Sequence, residues 1–129
     1  MTNKEKALAL IGTFVSGDLE LAKSLLAPGY KQHNLAFGTG GDAFVAAVAG
    51  LGAALAAMAE QGISMVYDKT HMVLADGDYA LACSEGSFGG VPTTYYDLFR
   101  VENGFIAEHW DVMETLADKA TWQNNNGKF

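Results

Sequence analysis

Three ionisable side chains late in the sequence are spaced for acid–base chemistry. Asp97 lies before a Glu102-Asn103-Gly104 turn, and His109 and Asp111 lie after it. Alternate residues of a strand share a face, so the register of this hairpin decides which side chains meet. A two-residue Asn103-Gly104 turn would pair Asp97 with Trp110 and turn His109 and Asp111 to the other face. A three-residue loop, with Gly104 in the left-handed conformation that glycine tolerates best, would pair Val101 with Phe105 and Asp97 with His109. Under that second register Tyr95, Asp97, Phe99, Ala107, His109, Asp111 and Met113 line one face. Tyr96, Leu98, Arg100, Ile106, Glu108, Trp110 and Val112 line the other. The three-residue loop is the expectation, because it gathers the titratable groups among aromatic rings and a methionine. Apolar walls and a neighbouring like charge raise a carboxyl pKa toward neutrality, which proton transfer at physiological pH requires. The same spacing also fits a solvated Asp97 and a histidine satisfied within the core.

The elements that position this hairpin change character near Gly62. Thr2 or Asn3 can cap a helix running to about Val15, with Leu8, Ile11 and Val15 at spacings of three and four, ended by Gly17. Asp18 caps a shorter helix through Leu19, Ala22, Leu25 and Leu26, stopped by Pro28-Gly29. Tyr30 to Asn34 is polar and aromatic, and Gly38 to Gly41 reads as a loop. Asp42 then caps a long helix carrying Phe44, Val48, Leu51, Leu55 and Met58 on one side. Beyond Gly62 the period becomes two, predicting strands over Ile63–Leu74, Tyr79–Phe88, Thr93–Val101 and Phe105–Thr115, with Asp76-Gly77 as a hairpin turn. Helices followed by an antiparallel meander predict an α+β fold, a cone-shaped curved sheet with the N-terminal helices over its concave face. A single domain over residues 1–129 is expected.

Composition narrows the function classes. The chain has 129 residues, 50% of them hydrophobic and 18% charged, and a formal net charge of −7. That apolar content supports a real core and argues against disorder. The acidic balance argues against nucleic acid and against an anionic membrane surface. The one cysteine, Cys83, excludes an intramolecular disulfide and a paired-cysteine metal site, so a cytoplasmic location is expected. Lys4 to Val15 reads as an amphipathic helix and not as a signal peptide. Ala43–Ala59 lacks charge but falls short of the roughly 20 residues that span a bilayer.

These residues also carry a resemblance. Tyr96-Asp97-Leu98-Phe99-Arg100-Val101-Glu102-Asn103-Gly104, with Ile106-Ala107-Glu108-His109-Trp110-Asp111-Val112, is similar to the closing hairpin of SnoaL-like proteins of the nuclear transport factor 2-like superfamily. Tyr30-Lys31-Gln32-His33-Asn34 resembles that family's Tyr-x-Gln-His-Asn segment, and Asn126-Gly127-Lys128-Phe129 its ending. The resemblance covers nearly the whole chain. It implies a cone whose cavity receives the Asp97 face, and a fold that hosts cyclases, isomerases, dehydratases, hydrolases and binding modules alike. It further implies Asp97 as an oxyanion donor and Asp111 as general acid/base. One departure is Ala82-Cys83-Ser84, where similar members often carry histidine on the second strand.

Other candidates divide between function and structure. Tyr30 could hydrogen-bond a substrate carbonyl, and His33 with Asn34 could sit at the cavity mouth. His71 on a strand and a buried Cys83 read as structural. Scattered histidine spacings argue against a metal site, and no cofactor is expected. Gly38-Thr39-Gly40-Gly41 follows no strand and lacks a phosphate-binding lysine, so it reads as a plain loop. The expectation is a cofactor-independent lyase or isomerase acting on a small apolar carbonyl compound. Asp111, His109 and Asp97 would be catalytic, and Tyr30, His33, Asn34, Tyr95, Phe99 and Met113 would bind substrate. A non-catalytic small-molecule-binding module is the alternative. Leu98, Ile106, Trp110 and Val112 form an outer apolar stripe that predicts a homodimer.

Overall fold

The computed structural model describes residues 1–35 and 65–129. The glycine loop and the long helix expected from Asp42 to Met58 lie outside the described residues. Helix α1 (Asn3–Ser16) begins at a Thr2 cap whose hydroxyl accepts from the Glu5 backbone N–H while Glu5 answers the Thr2 N–H, and it ends at Gly17 with φ 70°. Asp18 caps α2 (Leu19–Leu25) by accepting from the Leu21 N–H. Both helices therefore start where their capping residues require. The buried stripe of α1 is Ala7, Leu10, Ile11 and Phe14, while Leu8 and Val15 are exposed. Both sets satisfy helical spacing, and the stripe that contains the phenylalanine faces inward.

A five-stranded sheet completes the fold, in the order β1-β5-β4-β3-β2. β2 (Met65–Asp76), β3 (Tyr79–Phe88), β4 (Val91–Glu102) and β5 (Phe105–Thr115) form the expected antiparallel meander. β1 (Leu26–Gln32) was not expected as a strand. It adds to the outer edge of β5 in parallel, and its register slips between Leu26 and Lys31, the span that contains Pro28-Gly29. Proline has no N–H to give a ladder, so an interrupted edge strand is where it can be accommodated. The architecture is α+β, two N-terminal helices over a mostly antiparallel curled sheet. Its core joins Leu10, Phe14, Leu25, Leu26 and Tyr30 to Ala80, Ala82, Phe99, Val101 and Ile106.

The β4–β5 hairpin corrects the expected register. Asn103 (φ 51°) and Gly104 (φ 84°) both have positive φ and make a two-residue turn between Glu102 and Phe105. The ladder then shifts between Arg100↔Glu108 and Val101↔Ile106, leaving Ala107 as an extra residue in β5. That bulge restores the parity of a three-residue loop by another route. Asp97 pairs with Asp111 and Phe99 with His109, instead of Asp97 with His109. Ile106 moves from the outer stripe into the core, fully buried.

Gly86 marks the tightest approach in the sheet. A Cβ there would lie 1.7 Å from the Val66 carbonyl oxygen, beside the bulge between Tyr67 and Lys69. Gly86→Ala should cost about 2–3 kcal/mol, since backbone on both sides resists displacement. Chemical denaturation should show a lower midpoint with an unchanged slope; an unchanged midpoint would show that β2 is free to move.

Candidate active site

Ala107 is what aims the three ionisable groups inward together. Asp97 is 0% exposed and His109 2% exposed. The His109 ring lies between two others: Phe99 stacks on it with centroids 4.8 Å apart, and Phe14 of α1 tilts against it at 6.0 Å. A carboxyl group buried as deeply as Asp97 has to be fully hydrogen-bonded to be tolerable. Tyr67 donates its hydroxyl to Asp97 Oδ2 at 2.9 Å, and His109 Nε2 faces Asp97 Oδ1 at 2.8 Å.

The other ring nitrogen settles where the protons are. Gln32 Oε1 accepts from the Asn34 backbone N–H at 3.0 Å, which fixes the amide orientation, and its Nε2 donates to the Tyr30 hydroxyl oxygen at 3.1 Å. His109 Nδ1, 2.8 Å from that same Oε1, must therefore carry hydrogen. With Nδ1–H fixed, a bare Nε2 would oppose a bare carboxylate across 2.8 Å. One proton lies on that line, so Asp97 and His109 form a proton-sharing pair with no net charge. One ligand atom from each of Asp97, His109 and Asp111 lies within 4.8 Å of the others, a spacing a cation could accept, but Asp97 and His109 are bonded to each other.

Asp111 differs from the pair in being only half-buried. Burial raises its carboxyl pKa above the usual range and the neighbouring Asp97 adds to the rise, while the Asn34 hydrogen bond and His109 oppose it. Asn34 Nδ2 donates to Asp111 Oδ2 at 2.7 Å. Tyr30 is buried beside both carboxyls, and burial, Asp97 and Asp111 all push its phenol pKa upward, so it remains a donor. Its oxygen accepts from Gln32, and among the described residues no acceptor takes its hydrogen. The arrangement offers a desolvated carboxyl base, a phenol donor beside it and a neutral buried pair behind.

The residues singled out in the sequence are placed unevenly. Asp97, His109, Asp111, Tyr30 and Asn34 come together. Tyr95 and Phe99 are fully buried and pack behind the site. Tyr95 donates its hydroxyl to the Ser87 carbonyl at 2.6 Å, and its phenol pKa is pushed up to about 12, chiefly by burial. Met113 lies at the far end of the same face, 37% exposed. His33 is on the opposite face of the sheet, stacked on Trp110 and bonded to Glu108. His71 is likewise outside, against Phe129 and Glu85. Two participants were not among the expected residues, Gln32 and Tyr67. Tyr30, Gln32 and Asn34 alternate with period two, so reading this stretch as a strand would have grouped them and set His33 opposite. Nothing in the sequence distinguishes Tyr67.

Comparison with known proteins agrees with this fold. A family model for the SnoaL-like domain matches residues 7–109. The fold is similar to that of IdmH from Streptomyces antibioticus, a provisionally assigned polyketide cyclase, at 18% identity and TM-score 0.65, covering 88% of this chain and 93% of that one. A provisionally assigned polyketide cyclase from Sinorhizobium meliloti is similar at 21% identity and TM-score 0.64, over 84% and 94% of the two chains. A protein of unknown function with a cystatin-like fold from Xanthomonas campestris is similar at 22% identity and TM-score 0.65, over 93% and 94%. None of the curated proteins is a significant match. Among the described residues no helix is long and apolar enough to cross a membrane.

The raised Asp111 pKa has a consequence for stability. The folded protein holds the Asp111 proton to higher pH than the unfolded chain does, so stability falls as pH rises through the folded pKa. Asp111→Asn removes that cost. Its Tm should exceed that of the parent at pH 7, and the gain should vanish under acid conditions where Asp111 is protonated in both states. A lower Tm at pH 7 would mean the carboxylate is net stabilising.

Proposed function

The chain belongs to the SnoaL-like domain family, and from that premise we propose that it is a cofactor-independent acid–base catalyst acting on a small apolar carbonyl compound. Asp111 takes a proton from the carbon next to the carbonyl. Tyr30 donates its phenolic hydrogen to the enolate oxygen that develops. Asn34 holds the Asp111 carboxylate in one orientation through its 2.7 Å hydrogen bond. The Asp97–His109 pair, with both ring nitrogens engaged, acts as a neutral polar backing and not as a group that touches substrate. Aldol cyclisation, double-bond isomerisation and dehydration share this enolate-forming step. The observation that carries the proposal is the half-buried Asp111, raised in pKa and held by Asn34 through one oxygen.

Proton abstraction can be measured without knowing the natural substrate. In deuterated water the protein should exchange the α-hydrogens of small apolar ketones, followed by proton NMR. Asp111→Asn should slow the exchange at least about 100-fold. Tyr30→Phe should slow it with Asp111 intact. Because the base must be ionised, the wild-type rate should fall with decreasing pH through a midpoint above the usual carboxylate range. Exchange that persists in Asp111→Asn removes the proposal.

A second reading is a non-catalytic binding module. It is favoured by the closure of the Asp97–His109 pair, which leaves neither group exposed. Ligand binding without any α-exchange would support it. We extend the proposal to a homodimer through the outer sheet face, where Leu98, Trp110 and the 69%-exposed Val112 remain. A monomer mass by sedimentation would remove that extension.

A further inference from the structure

We infer that His33 is a positioning residue, a latch on the outer face of the sheet whose stacking on Trp110 holds Asn34 over Asp111 on the inner face. β1 ends at Gln32, so the next two residues lie beyond the strand's end. They are held by the His33 N–H donating to the His109 carbonyl at 2.9 Å, together with side chains that grip β5 from both sides. Outside, the His33 ring lies flat on Trp110, with centroids 4.8 Å apart and planes at 4°, and its Nε2 meets Glu108 Oε1 at 2.7 Å. Glu108 is itself fixed, since Arg100 Nε donates to its other oxygen at 2.9 Å. Inside, Gln32 meets His109 and Asn34 meets Asp111. Residues 32, 33 and 34 thus address 109, 108 with 110, and 111 in alternation, and β5 is clasped between them.

The chemistry makes the latch consequential. Asn34 supplies a hydrogen bond that favours the ionised form of Asp111. A planar stack of this closeness between His33 and Trp110 gives the segment a defined seat that the backbone bond alone does not. Trp110 is also bounded by Tyr79, with centroids 6.3 Å apart, so its ring is held on a second side. Among the described residues, the charged and titratable groups around Asp111 are Asp97 and Tyr95 on β4, His109 on β5, Tyr30 on β1 and Tyr67 on β2, and the His33 side chain, on the opposite face, meets Glu108 and Trp110 instead. Asn34, the chain neighbour of His33, is the residue through which a change there reaches the Asp111 carboxyl.

The inference deepens the reading of Asp111 as the acting base, but its test needs no substrate, so the two can fail separately. The carboxyl carbon resonance of Asp111 is followed against pH by NMR in the full chain. His33→Ala and Asn34→Ala should each move its midpoint upward by on the order of half to one pH unit. The double variant should move no further than Asn34→Ala alone. His33→Phe, which keeps the stack and loses the Glu108 bond, should restore most of the wild-type midpoint. His33 is exposed, so its variants should fold, with denaturation midpoints near the parent's. A wild-type Asp111 midpoint in His33→Ala, shifts that add in the double variant, or a Phe variant no better than Ala would overturn the inference.

Discussion

The geometry of the site depends on one extra residue in one strand. A two-residue turn at Asn103-Gly104 joined to an uninterrupted ladder would send Glu108 and Trp110 inward and His109 and Asp111 outward. Ala107, left unpaired between Ile106 and Glu108, reverses that assignment for everything beyond it. Before the bulge the strand gives the core Ile106. After it, the strand gives the interior His109 and Asp111 and gives the outer face Glu108, Trp110 and Val112. Alanine suits the position because it is buried itself and has little side chain to place.

That register puts a polar group deep in an apolar interior. Burying one member of an ion pair and losing the other costs roughly 3–5 kcal/mol, so Asp97 without His109 would be strongly destabilising. Tyr67 from β2, at one edge of the sheet, completes the bonds of Asp97. Gln32 from β1, at the opposite edge, completes those of His109, and its own amide is anchored by donating to the Tyr30 hydroxyl. The close approach at Gly86 allows β2 to curl over β3 near the point where the Tyr67 hydroxyl reaches Asp97. Helix α1 closes the top with Phe14 against both Tyr67 and His109. Neutral sharing of one proton lets these groups be buried, while Asp111 stays half-buried and retains a separate ionisation.

Much of this scaffold was legible in the sequence because its signals are local. Thr2 with Glu5, Gly17 and Asp18 mark helix ends by the backbone groups they satisfy, and Asp76-Gly77 marks a turn by its backbone freedom. The candidate trio was also legible, since a three-residue loop and a two-residue turn plus bulge have the same parity. The bulge itself was not legible, because its cause is the burial of Ile106 and His109 on one face, which depends on the tertiary partner of each. β1 was hidden by Pro28-Gly29 and by a polar stretch whose period of two, Tyr30, Gln32 and Asn34, was masked by the equally polar residues between them. For the same reason His33 was expected at the cavity mouth, whereas on an extended chain it must face away from Asn34. The buried stripe of α1 was ambiguous for a simpler reason, since Leu8-Ile11-Val15 and Ala7-Leu10-Ile11-Phe14 obey the same spacing.

Asp97 and His109 form a buried, neutral, proton-sharing pair, locked by Gln32 on one side and Tyr67 on the other. Nitrogen-15 NMR of the His109 ring tests this most directly. The expected result is a proton on Nδ1 and a second, strongly deshielded proton between Nε2 and Asp97 Oδ1, both protected from exchange with water. An unbonded lone pair on Nε2, or ring protons that exchange as fast as those of the exposed His33, would contradict it.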